Sequence, residues 1–183
     1  MKMFSNFSVY RTTELPIADI EGTFIINESL ISATRDALEY YALAGIRDGG
    51  HEGLVFWGGV ELSKTTVFTT VIIPKAEHSF GRVMVSNKEV GLLARSTRKQ
   101  GIGLLCQVHS HPGSDARHSE GDDSLITMPF EGMLSIVVPN FGINFLKITQ
   151  AQIHQFQKSK WVLCTLRSVN QNIRVVPTRI DLR

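Results

Sequence analysis

The sequence predicts an α/β fold in which a mixed central β-sheet is flanked by helices. Three observations carry that expectation. Two segments place apolar residues at helical spacing behind an N-capping residue. Several β-branched, apolar runs of strand length are bounded by Gly or Pro. One of them, Ile102 to His109, is apolar almost throughout, as strands in the middle of a sheet are.

Taken in order, residues 1–22 are mixed, contain Pro16 and read as a short strand or arm. Phe24-Ile25-Ile26 reads as a strand. Asn27 then caps a helix from Glu28 to Leu43, with Leu30, Thr34, Ala37, Leu38 and Tyr41 on its inner face. Gly45 ends it and Gly49-Gly50 marks a loop. Leu54 to Leu62 and Thr66 to Ile73 read as strands, the second stopped by Pro74, and residues 75–85 as an irregular segment. Ser86 and Glu89 have the capping-box spacing, and Val90, Leu93, Ala94 and Thr97 form the inner face of a second helix that ends near Gly101. After the Ile102–His109 strand come a polar loop, Pro112 to His118, and a short helix opened by Ser119. Leu134 to Val138 is a further buried strand closed by Pro139. Phe145 to Gln150, Ile153 to Gln157 and Trp161 to Leu166 read as antiparallel strands or hairpins, and Ile173 to Leu182 as extended with Pro177 inside it. No repeat or linker divides the chain, so residues 1–183 are expected to form one domain with its core at about 23–166.

Bulk properties narrow the function. Of the 183 residues, 43% are apolar and 20% charged, which suits a globular domain. A net charge of +2 without a long Lys/Arg block gives no support to nucleic-acid binding. No run approaches membrane-spanning length, and Met1 to Asn6 lacks the apolar segment of a signal peptide. Cys106 and Cys164 lie in apolar stretches outside any Cys-x-x-Cys pair and read as buried reduced thiols. The expected location is the cytoplasm.

The chemistry concentrates between Gln107 and Asp123. His109 and His111 stand two apart at the end of a strand, so both imidazoles point to one side and can meet one metal ion. Ser119 and Asp122, three apart, share a face of a helical turn. If that turn folds back, Asp122 completes a three-ligand set that leaves a fourth position for water, the arrangement of catalytic rather than structural zinc. Taken singly, His-x-His can bond backbone, and Ser-x-x-Asp can be a helix cap. Asp115, His118 and Asp123 read as solvated loop residues. The combination is more specific. At roughly one in twenty per residue type, five fixed positions arise by chance about once in a few million starts.

The pattern is His109-x-His111-Pro112, six residues, Ser119, two residues, Asp122. It resembles the motif of the JAMM/MPN (JAB-like, Mov34/MPN/PAD-1) metalloprotease family, in particular its prokaryotic ubiquitin-like-deconjugating members. The resemblance implies the JAB/MPN fold, which is related to that of cytidine deaminases. It implies one Zn2+ per chain on His109, His111 and Asp122, with Ser119 helping to hold an oxyanion. It also implies a general base, a Glu on the strand after the first helix. Glu52, opening Glu52-Gly53-Leu54-Val55-Phe56-Trp57, fits that place, with Glu61 and Glu77 as weaker rivals.

Members of this family hydrolyse the peptide or isopeptide bond after the C-terminal Gly of ubiquitin or a ubiquitin-like protein. Prokaryotic relatives often accompany E1-like and E2-like proteins in modification or antiphage (antiviral defence) operons. The expected partner is therefore a ubiquitin-like protein or its conjugates, with neither nucleic acid nor membrane. Strand addition would grip its tail, and residues 63–80 are a candidate flap over that groove. The alternatives are a peptidase that trims a sulfur-carrier-type precursor and a non-catalytic MPN scaffold. A zinc nucleobase deaminase needs a Pro-Cys-x-x-Cys segment, which this sequence lacks.

Overall fold

The computed structural model describes residues 12–119, 121–122 and 129–180. Their order is β1 (Ile17–Ala18), β2 (Thr23–Asn27), α1 (Glu28–Ala44), β3 (Leu54–Leu62), β4 (Thr65–Ile72), β5 (Glu77–Ser79), β6 (Arg82–Met84), α2 (Asn87–Lys99), β7 (Gly103–Ser110), β8 (Leu134–Val138), β9 (Gln152–Gln157), β10 (Lys160–Cys164), α3 (Leu166–Asn172) and β11 (Ile173–Val176). Among the described residues the main sheet has the strand order β1-β10-β9-β8-β7-β3-β4-β2-β11, and β5 and β6 form a separate hairpin. The main sheet is mixed: β7 and β8 run parallel, whereas β3 is antiparallel to both of its neighbours.

Local chemistry sets the boundaries. Asn27 leaves strand geometry and caps α1, its Oδ1 accepting from Ser29 N at 2.9 Å. The inner face of α1 is buried as expected, with Leu30, Thr34, Ala37, Leu38 and Tyr41 all in the core. The two faces of the sheet separate by the strand period of two. Val55 and Trp57 of β3, with Cys106 and Val108 of β7, pack toward α1. Leu54 and Phe56 point the other way and join Val83, Val90 and Leu93. His109, opposite Leu54 in register, therefore emerges on the side of the hairpin and α2. Both cysteines are buried and free. Among the described residues no helix is long and apolar enough to cross a membrane.

Several expectations change. Residues 75–85 hold the β5–β6 hairpin rather than only a loop. Strands of three residues are too short to show a period. Residues 65–72 are β4, interior to the main sheet between β3 and β2, so the segment 63–80 is not a flap; only its hairpin part stands outside that sheet. Phe145 to Gln150 is not a strand: Ile148–Gln150 is a 3-10 turn. The buried Phe145 and Ile148 are three apart, the spacing of a turn, and Asn144 before them has φ 60°. The expected strand to Leu166 ends at Cys164, because Thr165 caps α3, its hydroxyl accepting from Ser168 N at 3.2 Å. Only the Ser86 half of the capping box expected before α2 forms, Ser86 Oγ accepting from Glu89 N, while Glu89 accepts from Lys75 N instead. Ala94 is exposed rather than inward-facing.

Candidate metal centre

The end of β7 is fixed before any side chain is considered. Ser110 N donates to Gly53 O and Gly53 N donates to Ser110 Oγ, both at 3.0 Å. His111 N donates to Val138 O at 2.9 Å, and Phe141 N donates to His111 O at 2.7 Å. The two imidazoles are thereby set on one side of the chain, with the rings at 0% and 6% side-chain exposure.

Asp122 meets them from the segment that follows β7. His109 Nε2 lies 3.2 Å from Asp122 Oδ1, and His111 Nε2 lies 3.2 Å from Asp122 Oδ2. The two Nε2 atoms are themselves 3.2 Å apart. Asp122 reaches this place through a reciprocal cap. Ser119 N donates to Asp122 Oδ2 at 2.6 Å, and Asp122 N donates to Ser119 Oγ at 3.3 Å. The Ser-x-x-Asp pair is thus both a helix cap and part of the cluster.

His111 Nδ1 lies 3.0 Å from the Asp115 carbonyl. A carbonyl only accepts, so Nδ1 carries the proton and the Nε2 lone pair faces Asp122 and His109. Burial works against charge on His111, but the Asp122 hydrogen bond and charge, then Glu52 and the Asp115 carbonyl, raise its pKa overall. Burial also works against the Asp122 carboxylate, yet His109 and His111 hold its pKa far below the usual range. The cluster attracts positive charge to one point.

That arrangement fits a metal ion. His109, His111 and Asp122 offer ligand atoms that all lie within 4.8 Å of one another. Tetrahedral bonds of about 2.0–2.1 Å require ligand-to-ligand edges of roughly 3.3–3.4 Å, close to the 3.2 Å separations seen. The second-layer contact from His111 Nδ1 to a carbonyl is of the kind that orients ligating histidines.

Glu52 lies two residues before the start of β3 and is 4% exposed. Its charge acts on His111. Ser119 is 6% exposed. The rivals are elsewhere: Glu61 near the far end of β3 and Glu77 on β5 are both exposed. Asp115 is a surface residue paired with Arg117 at 2.7 Å. Asp123 lies outside the described residues.

His118 is not a solvated loop residue. It is fully buried, its Nε2 3.0 Å from Ser135 Oγ, its ring stacked on His154 at 3.9 Å and edge-on to Trp161. The polar stretch around it hid this, because a buried His in a loop has no periodic signal. His154, Ser135 and Trp161 are a layer behind the cluster that sequence reasoning did not single out. Their positions in β9, β8 and β10 follow from strand alternation only once the pairing is known. Burial, then the charges of His118 and His109, push the His154 pKa down to about 2.

With this geometry in place, the comparison with known sequences is decisive: residues 46–149 match the prokaryotic homologs of the JAB domain. The chain belongs to this family. It therefore has the α/β JAB/MPN fold, and the matched Prok-JAB region contains Glu52, both histidines, Ser119 and Asp122. A "Probable metalloprotease" of Sinorhizobium fredii is 41% identical over 104 residues, covering 55% of this chain and 64% of that relative. The chain thus matches less than two thirds of the relative's length. A solution structure of a Desulfitobacterium hafniense protein superposes with a TM-score of 0.59 at 15% identity, over 84% of this chain and 93% of that one. A JAB1/MPN domain protein from Archaeoglobus fulgidus gives 0.46 at 16% identity, over 84% and 97%.

Proposed function

We propose that this Prok-JAB protein is a zinc-dependent isopeptidase or peptidase that hydrolyses the bond after the C-terminal Gly of a ubiquitin-like protein. The observation that carries the metallopeptidase reading is the convergence of two imidazole nitrogens and a carboxylate at 3.2 Å separations, with the His111 tautomer set by Asp115. The substrate class rests on the resemblance of the motif. Companion E1-like and E2-like proteins, and a role in antiphage defence, belong to the same proposal.

His109, His111 and Asp122 would hold the ion. Two nitrogens and an oxygen form a donor set that suits zinc. Zinc bound there would polarise the scissile carbonyl and lower the pKa of water toward about 7. Glu52 takes the proton of the attacking water and delivers it to the leaving nitrogen as the C–N bond breaks. The Ser119 oxygen already accepts from Asp122 N, so its own hydrogen is the one left to donate to the carbonyl oxygen. No cysteine takes part. Burial holds the Cys106 thiol well above its ordinary pKa and pushes Cys164 up to about 12.

The test is intact-mass analysis of ubiquitin-like fusion proteins incubated with the zinc-loaded protein and with Glu52→Ala. Cleavage after the terminal Gly by the first alone is the expected result. Equal cleavage by Glu52→Ala would remove Glu52 from the mechanism. Failure by both, with zinc in place, would remove this substrate class.

A further inference from the structure

Glu52 is held from two sides. Its C-terminal neighbour Gly53 is bonded twice to Ser110 of β7. On the other side, Glu52 N donates to Ser79 O at 2.9 Å, and Ser79 belongs to the β5–β6 hairpin. The β6 side of the hairpin is anchored by Val83, fully buried against Leu54 and Phe56. The Ser79 end, which carries the carbonyl that holds Glu52, has a fixture of its own.

The residues next to Glu52 and Ser79 supply that fixture. His51 Nδ1 and His78 Nδ1 are 2.9 Å apart. The His78 ring is also edge-on to Tyr41 of α1, at 4.9 Å between centroids. The His51 ring lies over Gly45 at the end of α1, where a Cβ would come within 2.1 Å of its Cδ2. A glycine there is what admits the ring.

We propose that His78 is a positioning residue for Glu52: its hydrogen bond to His51 locks the hairpin so that the Ser79 carbonyl holds the Glu52 amide. This rests on the reading of Glu52 as the general base. An Nδ1-to-Nδ1 bond needs one donor and one acceptor, so it survives with zero or one extra proton on the pair and breaks with two. The other titratable groups around the pair are Tyr41 from α1, Asp48 3.5 Å from His51 Nε2, the flanking Glu52 and Glu77, and Arg82 across the hairpin. Burial and then His51 hold the His78 pKa below its ordinary value. The sign follows. The lock is complete above the ordinary histidine pKa of about 6.5 and weakens as pH falls toward the lower value of folded His78.

The experiment uses the zinc-loaded protein, His78→Phe and His78→Asn. Phe keeps a ring against Tyr41 without the nitrogen. Asn places a non-titrating amide near Nδ1. Amide exchange is read by NMR at Glu52, with Gly53 as internal control, and turnover on a peptide ending in Gly-Gly-aminomethylcoumarin. In His78→Phe, Glu52 protection should fall about five- to tenfold, as loss of one hydrogen bond implies, while Gly53 is unchanged. kcat should fall by about tenfold with KM within twofold. His78→Asn should restore both and abolish the extra loss of protection that the wild type shows on acidification. Unchanged Glu52 protection in His78→Phe overturns the proposal, as does a change in KM alone. If no form cleaves the peptide, the exchange result still decides the lock, and it is the assigned substrate class that fails.

Discussion

At the scale of single residues, Asp122 joins folding to binding. One of its oxygens accepts the Ser119 amide while both face the histidines. Asp122→Asn keeps an acceptor for the cap but removes the charge. The variant should stay folded, with a stability change of no more than about 1 kcal/mol by thermal unfolding, and should lose zinc by elemental analysis. Full zinc occupancy would show that the carboxylate is not a ligand. The pH dependence has a definite sign. The His111 pKa is raised in the metal-free protein, so protons compete for it starting above the ordinary value of about 6.5. The low-pKa Asp122 stays ionised down to strongly acid pH. Apparent zinc affinity should therefore fall as pH drops through the neutral range, with proton release on binding. A chelator competition titrated between pH 6 and 8 reads it, and a flat profile would contradict the His111 assignment. These residues were legible in sequence because the motif fixes identities at set spacings. His118 was not, because its burial depends on β8, β9 and β10, which are far from it in the chain.

At the scale of elements, β3 was readable as an unbroken apolar run, buried from Leu54 to Gly59, and α1 because its helical period and its Asn27 cap agree. They are also joined by a polar link inside the core. Trp57 Nε1 donates to Thr34 Oγ1 at 2.8 Å, and Thr34 Oγ1 donates to Leu30 O at 2.8 Å. Thr34→Val conserves shape but strands the buried indole N–H. It should lower stability by about 1–3 kcal/mol, seen as a lower denaturant midpoint at unchanged slope, with zinc content intact. The elements that escaped reading are the shortest. The hairpin strands are too brief to alternate, and α3 buries only Ser168 and Val169. Gly59 marks a third kind of difficulty. A Cβ there would lie 2.0 Å from Val67 O, beside the irregularity of β3 against β4. That glycine answers to a partner strand, which a single sequence does not display.

At the scale of the whole molecule, the arm before β1 reaches the centre from the opposite edge of the sheet. Pro16 O accepts from Leu163 N at 2.9 Å, Thr13 N donates to His118 O at 2.8 Å, and Thr12 bridges to Ser119. The arm therefore holds down the segment that carries Ser119 and Asp122. A variant lacking residues 1–16 should bind zinc about tenfold more weakly, as when outer supports of a metal site are removed, measured against a competing chromophoric chelator. Equal affinity would show that the arm is only a cover.

The proposed metal ligands also divide unevenly along the chain. His109 lies in β7 and His111 directly after it, while Asp122 sits within the connection that carries the chain to its parallel neighbour β8. An ion shared among them would act as a cross-link, closing the stretch from Pro112 to Gly121 into a ring and removing freedom from the unfolded chain. At a hundredfold excess of zinc over its dissociation constant, mass action adds about 2.7 kcal/mol to stability. Chelation should lower Tm accordingly and speed amide exchange first in this connection, with the strands of the main sheet following only on global unfolding. With zinc as the resident ion, heat resistance would become a gauge of its supply: a cell short of the metal would hold this protein in a softer form, open to proteolysis at the crossover, and turnover of the chain would track metal availability.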